Sequence, residues 1–381
     1  MTHLYDEIGV TRVINASGSM TSLGGSLIAP EVLEKMNEAA RSFVVVKELM
    51  DWAGAEIARL TGAEAGMVTS GSAGGILLAC AACLTGADRQ RMRQLPAAQG
   101  WKNEFVMQKQ HRIGFDHAVG VAGGRIVEVG DDAGTRPEQI EAALSERTAA
   151  VFHVVLDPQP TVPLDQVAEI ARARGIPVVV DAAAELPPVD NLRAFVEAGG
   201  DLVIFSGGKD ISGPNDTGIL CGRADLVGAA RAQAFPNGGI GRPLKVSKEQ
   251  IVGLVFALRR FAALDQEERM RRWQAMAETM AARLGGLPGV EVDIAHPTRG
   301  ARPLCIPRTR LRIDAALLGR SVGEIEAELE AGRPRIAVLP EPAAQAIWLN
   351  PQHLEDGEEE VVARRLVEVL GTGTESRKDD G

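Results

Sequence analysis

Tyrosine is nearly missing from this chain. Among 381 residues only Tyr5 carries a phenol, and aromatic residues make up 4% of the whole. A ring that stacks on a planar ligand, or a side chain that shuttles protons, is therefore expected to be something other than tyrosine. Cysteine is scarce as well. Four thiols (Cys80, Cys83, Cys221 and Cys305) in so long a chain give no disulfide framework, which points to a reducing, cytoplasmic setting. Cys80 and Cys83 match C-x-x-C, but they lie inside the apolar run 76–84 with no second pair or nearby histidine. They read as packed core thiols, and no metal site is expected. There is no long basic run, and the net charge is −10, so a nucleic-acid partner is not favoured. The Arg-rich stretch 89–93 is short and reads as a solvated loop. No apolar run reaches the roughly 18 residues a membrane span needs. The first seven residues also lack the charged and apolar zones of a signal peptide, so no membrane partner is expected.

What is present is ordinary for a globular protein: 45% hydrophobic and 24% charged residues, long enough for a large core domain and a smaller companion. Pro30 opens a helical pattern to residue 41, and a second runs over 47–60 and stops at Thr61-Gly62. From there apolar strand candidates (66–69, 104–107, 125–129, 149–155, 176–180 and 201–205) alternate with helical patterns. Thr135-Arg-Pro-Glu138 resembles a capping box at the start of one of those helices. The alternation predicts an α/β fold: a mostly parallel sheet flanked by helices on both faces. After Gly218 the character changes. One long helical region is expected over 247–284, then short strands at 290–294, 311–313, 335–339 and 346–349, with helices near 321–331 and 356–370. The expected organisation is an N-terminal arm and helix (1–45), a large α/β domain (46–246), and a long helix with a smaller α+β C-terminal domain (247–370). A polar tail (371–381) is expected to be disordered.

Two strand ends carry chemistry. The run 176–180 closes on Asp181-Ala-Ala-Ala-Glu185, and the run 201–205 closes on Ser206-Gly-Gly-Lys209. Pyridoxal 5'-phosphate (PLP) chemistry needs this pairing: a lysine amine forms a Schiff base with the cofactor aldehyde, and a carboxylate keeps the pyridine nitrogen protonated. Ligand groups sit at the carboxyl ends of strands in open α/β sheets, where both residues fall. Taken alone, Asp181 reads equally as a helix N-cap; the pairing with Lys209 favours the cofactor role. The nucleotide-loop pattern G-x-x-x-x-G-K-[ST] fails around Lys209. Ser70-Gly71-Ser72 opens a small-residue turn from strand to helix, whose N–H groups, hydroxyls and dipole suit a phosphate, and Ser206 can add another hydroxyl. Small residues there also serve close helix–sheet packing. Glu185 reads equally as a solvated loop carboxylate or a site residue. With tyrosine excluded, His111 and Arg112, just past a strand, are the candidates for facing the cofactor or assisting a leaving group. His117 reads as a packing residue as readily as a site residue, His153 as a core residue, and His296 and His353 carry no signal. Arg333 or Arg335, entering a C-terminal strand, could clamp a substrate carboxylate or simply be solvated. Arg242, in a flexible basic loop, could reach a phosphate or a neighbouring subunit, or sit in a plain linker.

Several longer stretches resemble one family. The run from Val13 (Val-Ile-Asn-Ala-Ser-Gly-Ser-Met-Thr-Ser-Leu-Gly-Gly25) is similar to the opening motif of bacterial selenocysteine synthases, the L-seryl-tRNA selenium transferases. So are residues 60–65, 69–72 and 178–188, and Phe205-Ser-Gly-Gly-Lys209 with Gly213, Pro214 and Gly218. The similarity covers roughly residues 8–370, and within the family it is strongest toward the D-glucosaminate-6-phosphate ammonia-lyase group. The resemblance implies the fold-type I architecture of PLP enzymes, with Lys209 as Schiff-base lysine and Asp181 as pyridinium partner. It implies Ser70, Gly71, Ser72 and Ser206 as the phosphate cup, and a homodimer or larger homo-oligomer with active sites at the subunit interface. Selenocysteine synthases carry an N-terminal tRNA-binding domain ahead of this motif, and the chain starts almost directly at the motif, so a tRNA-directed activity is not expected. The expected activity is that of a PLP-dependent lyase removing water and ammonia from a β-hydroxy amino acid or amino-sugar acid to give a 2-keto acid. An amino-acid racemase or aldolase is the nearest alternative, and a selenium transferase a further one.

Overall fold

A computed structural model describes residues 3–156, 159–298 and 302–375. The chain divides into two compact units: Ser26–Ala263, and Met1–Gly25 together with Leu264–Gly381. Strands are numbered along the chain, beginning with β1 (Val13–Asn15) in the second of these.

The Ser26–Ala263 unit is built on a seven-stranded sheet of β2 (Ala65–Ser70), β3 (Glu104–Gln108), β4 (Arg125–Val129), β5 (Thr148–Val154), β6 (Val178–Asp181), β7 (Leu202–Ser206) and β8 (Thr217–Gly222), in the order β2-β8-β7-β6-β5-β3-β4. All run parallel except β8, which lies antiparallel between β2 and β7. β8 has no counterpart in the strand pattern read from sequence. Its apolar stretch is only Ile219-Leu220-Cys221 between glycines, too short for alternation to show. Both faces of the sheet are buried. Val151, Val180, Val203 and Phe205 enter one apolar cluster, and Phe152, Val154, Val179 and Ile204 the other. That two-sided burial explains why these strands read as continuous apolar runs.

The helical stretch 247–284 is two helices, Lys248–Ala263 and Gln266–Leu284. Asp265 starts the second by accepting from the Glu268 N–H, a sequence-local cap that ends the first helix and opens the next. Arg89–Gln94 is likewise a short helix rather than a loop, because Asp88 accepts from the N–H groups of Gln90 and Arg91. At Pro137–Ala143 the cap comes from Gln139, whose Oε1 accepts from the Arg136 N–H.

In the other unit, β9 (Val290–Ala295), β10 (Arg308–Ile313), β12 (Leu339–Glu341) and β13 (Ala346–Leu349) form an antiparallel sheet in the order β12-β13-β10-β9. β11 (Arg335–Ala337) pairs in parallel with β1, which is why the first residues of the chain belong with its last third. The helix Glu358–Glu375 continues past residue 371. The remainder of the expected tail, 376–381, lies outside the described residues.

Candidate active site at the carboxyl end of the sheet

The register brings the sequence candidates of the Ser26–Ala263 unit to one edge. Ser70 ends β2 opposite Thr217, Ser206 ends β7 opposite Gly218, and Asp181 ends β6 opposite Ile204 and Val154. Because β8 runs the other way, its first residues stand at the same edge as the last residues of its neighbours. Glycines make this close assembly possible. A Cβ on Gly218 would fall 2.5 Å from the Gly71 carbonyl carbon and 2.8 Å from the Ser72 nitrogen. Cβ atoms on Gly207 and Gly208 would collide with Thr217 and Asn215, so the chain leading to Lys209 lies directly on the segment that enters β8. Gly71 itself sits at φ +65°, a left-handed turn that starts the helix Gly71–Thr85. Gly218→Ala should therefore displace the Ser70–Ser72 turn. The expected cost is about 1–3 kcal/mol of stability from overpacking, read as a lower melting temperature, together with weaker binding of phosphate-bearing ligands in titration.

Lys209 is half-buried, and burial lowers its pKa below the ordinary lysine value, opposed by the nearby carboxylates of Asp181 and then Glu185. Asp181 is 5% exposed, and burial raises its pKa; the Ala183 N–H, which donates to Oδ1 at 3.0 Å, and Lys209 act in the opposite direction. No described residue donates to Oδ2 of Asp181, which leaves that oxygen for an external donor. Nor does any described residue hydrogen-bond to the hydroxyls of Ser70, Ser72 or Ser206, all partly exposed, with Ser70 and Ser72 at the N-terminus of a fifteen-residue helix. Free donors around a positive helix end form an anion cup. Glu185, which sequence reasoning left open, is 6% exposed, and its charge acts on Lys209, which places it near this cluster. Its burial comes from the loop 182–191, where the Glu185 carbonyl accepts from Asn191 and its N–H donates to Ala182. Nothing in the local sequence signals that fold-back.

His111 follows β3 in a short 3-10 turn and is 1% exposed. Burial lowers its pKa to about 4, so the ring is neutral near pH 7. Its Nδ1 accepts from the Val154 N–H at 3.3 Å, placing the proton on Nε2. Arg112, next in sequence, has its guanidinium held by Asp116 at 2.6 Å and Glu128 at 2.9 Å. Arg242 is exposed, 5.0 Å from the Phe235 ring centre. Arg333 and Arg335 are exposed residues of the other unit, and Arg335 donates to the Glu330 carbonyl. His117 begins a short helix, and His353 is hydrogen-bonded to Ser19 at 2.6 Å. Among the described residues no cluster of three or more His, Cys, Asp or Glu could hold a metal ion. No described helix is long and apolar enough to cross a membrane.

These features suit PLP: a half-buried amine of lowered pKa, a buried carboxylate with one oxygen that no described residue donates to, and an anion cup of hydroxyls at the same edge of the sheet. The family profile of L-seryl-tRNA selenium transferase matches residues 13–282. A Streptomyces 5'-C-glycyluridine monooxygenase-decarboxylase is 37% identical over 376 residues, covering 96% of this chain and 92% of that protein. D-glucosaminate-6-phosphate ammonia lyase of Salmonella typhimurium is 34% identical over 375 residues, covering 96% and 98%. The solved structure of D-glucosaminate-6-phosphate ammonia-lyase superposes with a TM-score of 0.85 at 33% identity, over 98% of this chain and 99% of that one. The large, mostly parallel sheet with its separate antiparallel sheet is the fold-type I architecture, and the chain belongs to the L-seryl-tRNA selenium transferase family of PLP-dependent enzymes.

Proposed function

We propose that the protein is a PLP-dependent ammonia-lyase that removes water and then ammonia from a β-hydroxy amino acid or amino-sugar acid, leaving a 2-keto acid. The observation that carries this reading is the Asp181–Lys209–Ser70/Ser72/Ser206 edge, joined to full-length likeness to an ammonia lyase. PLP, when bound, supplies an aldehyde that takes an amine and a ring that accepts electrons from the α-carbon. Lys209 Nζ is the nucleophile toward that aldehyde, and its burial raises the fraction of neutral amine. When not bonded to the cofactor, the same Nζ would serve as the base for the α-proton. Asp181 Oδ2 would hold a proton on the ring nitrogen, while Gly71 N–H and the Ser70, Ser72 and Ser206 hydroxyls would hold the phosphate. His111, neutral, presents its Nε2 proton, and Glu185 offers a second carboxyl group for passing a proton to a departing hydroxyl. Arg242, Arg333 and Arg335 form no ion pair with a described carboxylate and are the proposed carriers of substrate carboxylate or phosphate charge. Arg112, already paired twice, is left out of that set.

A working homodimer in the cytoplasm completes the reading. The exposed apolar run Phe43, Val44 and Val45 supports association, and the scarcity of cysteine in so long a chain supports a reducing compartment. Light scattering at micromolar concentration tests the first point, and a monomer mass would overturn it.

The likeness to a monooxygenase-decarboxylase favours one second reading, oxidative decarboxylation of a glycine-like amino acid. A single screen separates the two. Hydroxy amino acids, phosphorylated amino-sugar acids and glycyl nucleosides are incubated with the holoenzyme, with ammonia, keto acid, carbon dioxide and oxygen uptake followed together. Ammonia and keto acid in equal amounts without oxygen uptake support the lyase. Oxygen uptake matched by carbon dioxide release replaces it with the second reading.

A further inference from the structure

We propose that His153 is a positioning residue that sets the ring plane and the tautomer of His111. The inference deepens the reading of His111 as a residue facing the cofactor and rests on it.

His153 occupies the penultimate position of β5, opposite Val180, in a strand whose seven residues are all buried. It shares a sheet face with Val151 and Val155, both in the apolar cluster beneath. In that place its Nδ1 is buried without any hydrogen-bond partner, and burial drives its pKa well below the ordinary histidine value. A neutral imidazole with an orphaned nitrogen fills an apolar strand less well than leucine or phenylalanine would, since an unpaired buried polar group is unfavourable. What the ring does have is one specific neighbour. It packs against His111 with centroids 4.4 Å apart and planes at 78°.

The next residue, Val154, donates its N–H to His111 Nδ1. Consecutive residues of β5 thus hold the same ring from two directions, one through a hydrogen bond and one through an edge-to-face contact. At 3.3 Å the hydrogen bond is long, and by itself it fixes one atom without fixing rotation about that axis. The perpendicular ring supplies the missing constraint. With the plane fixed, Nδ1 stays the acceptor, and Nε2 carries the proton and keeps its direction.

The test uses three proteins labelled with 15N-histidine: the natural chain, His153→Phe and His153→Leu. In the cofactor-free proteins, long-range 1H–15N spectra report the tautomer of each imidazole, with His111 assigned by loss of its signals in His111→Gln. The expected result is a single Nε2-protonated form of His111 in the natural chain and in His153→Phe, which keeps a ring at that position. His153→Leu should show averaged, broadened nitrogen shifts for His111. With PLP added, visible circular dichroism should persist in the phenylalanine variant and fall several-fold in the leucine variant. On a productive substrate, kcat of the leucine variant should drop about tenfold at nearly constant KM, since a small misplacement is felt in the reacting geometry. Should His153→Leu fail to fold, His153→Met takes its place. An unchanged His111 tautomer and dichroism in the leucine variant overturns the proposal, and so does equal loss in both variants. If the natural chain takes up no PLP, the cofactor reading fails, while the tautomer measurement still decides the role of His153.

Discussion

Lys209→Ala should leave a folded protein that takes up PLP yet turns over substrate about a thousandfold more slowly or not at all. The lysine is asked for two things, a covalent hold on the cofactor and removal of the α-proton, and a positioned base alone contributes roughly a hundred- to ten-thousandfold. The proposed phosphate cup uses other residues, Gly71 and the Ser70, Ser72 and Ser206 hydroxyls, so phosphate binding should survive the substitution. Removing a half-buried amine also relieves a cost. A lysine whose folded pKa is depressed binds fewer protons folded than unfolded, so the natural cofactor-free protein should gain stability as pH rises from that depressed value toward 10.5. In Lys209→Ala that part of the pH dependence should vanish. Borohydride treatment of the natural holoenzyme should fix the cofactor on the peptide that contains Lys209. A label on another lysine, or near-normal turnover by Lys209→Ala, would remove Lys209 from the centre of the mechanism. Added methylamine or ethylamine, acting as a small free base, should restore part of the lost rate to the alanine variant, because the cavity left by the side chain sits where the base is needed.

Much of this site is legible in the chain because parallel strands buried on both faces advertise themselves. Runs such as 176–180 and 201–205 are apolar without alternation, and the first polar residue after each marks the carboxyl end where ligands bind. Asp181 stands out for that reason, and Lys209 because it follows Ser206 and two glycines at such an end. β8 does not, because an antiparallel insertion of three apolar residues between glycines carries neither length nor period. Yet it is β8 that brings Ser70 and Ser206 to a common edge, with Gly218 bare enough for the Gly71 turn to rest on it. Glu185 and His153 were obscured in different ways. A carboxylate four residues past a strand looks solvated until the loop folds back and buries it. A histidine in an apolar strand looks like filler until the neighbouring ring is seen at 4.4 Å. Arg112 shows the opposite case: promising beside His111 in sequence, it is held by Asp116 and Glu128. The break at Leu264 and Asp265 was hidden because helix-forming residues continue through it, and only the Asp265 cap on Glu268 reveals two helices.

Asp181→Asn should separate stability from catalysis. The shape of the side chain is kept, and the Ala183 N–H can still donate to the amide oxygen, but the negative charge facing a protonated ring nitrogen is gone. Loss of one preorganised electrostatic partner in a buried site is expected to slow α-proton removal by about a hundredfold or more. The cofactor-free protein should respond in the other direction. Burial is the largest influence on Asp181 and raises its pKa above the ordinary 3.8, against the weaker pull of Ala183 and Lys209. A carboxyl group raised in this way holds more protons folded than unfolded. Its contribution to stability is full below 3.8 and is lost as pH rises through the folded value, leaving a buried charge above that value. The asparagine variant never acquires that charge, so at pH 7 its cofactor-free form should melt no lower than the natural protein. Its melting temperature should also lose the fall with rising pH that begins above 3.8. Saturating PLP should then stabilise it less than it stabilises the natural chain, because one charge-assisted bond to the cofactor is missing. Thermal melts with and without PLP from pH 4 to pH 8, set beside solvent-deuterium exchange at the α-carbon, read both effects on one preparation. Normal exchange rates in Asp181→Asn, or a cofactor-free form that melts well below the natural one at pH 7, would show that this carboxylate is kept for packing rather than for the ring.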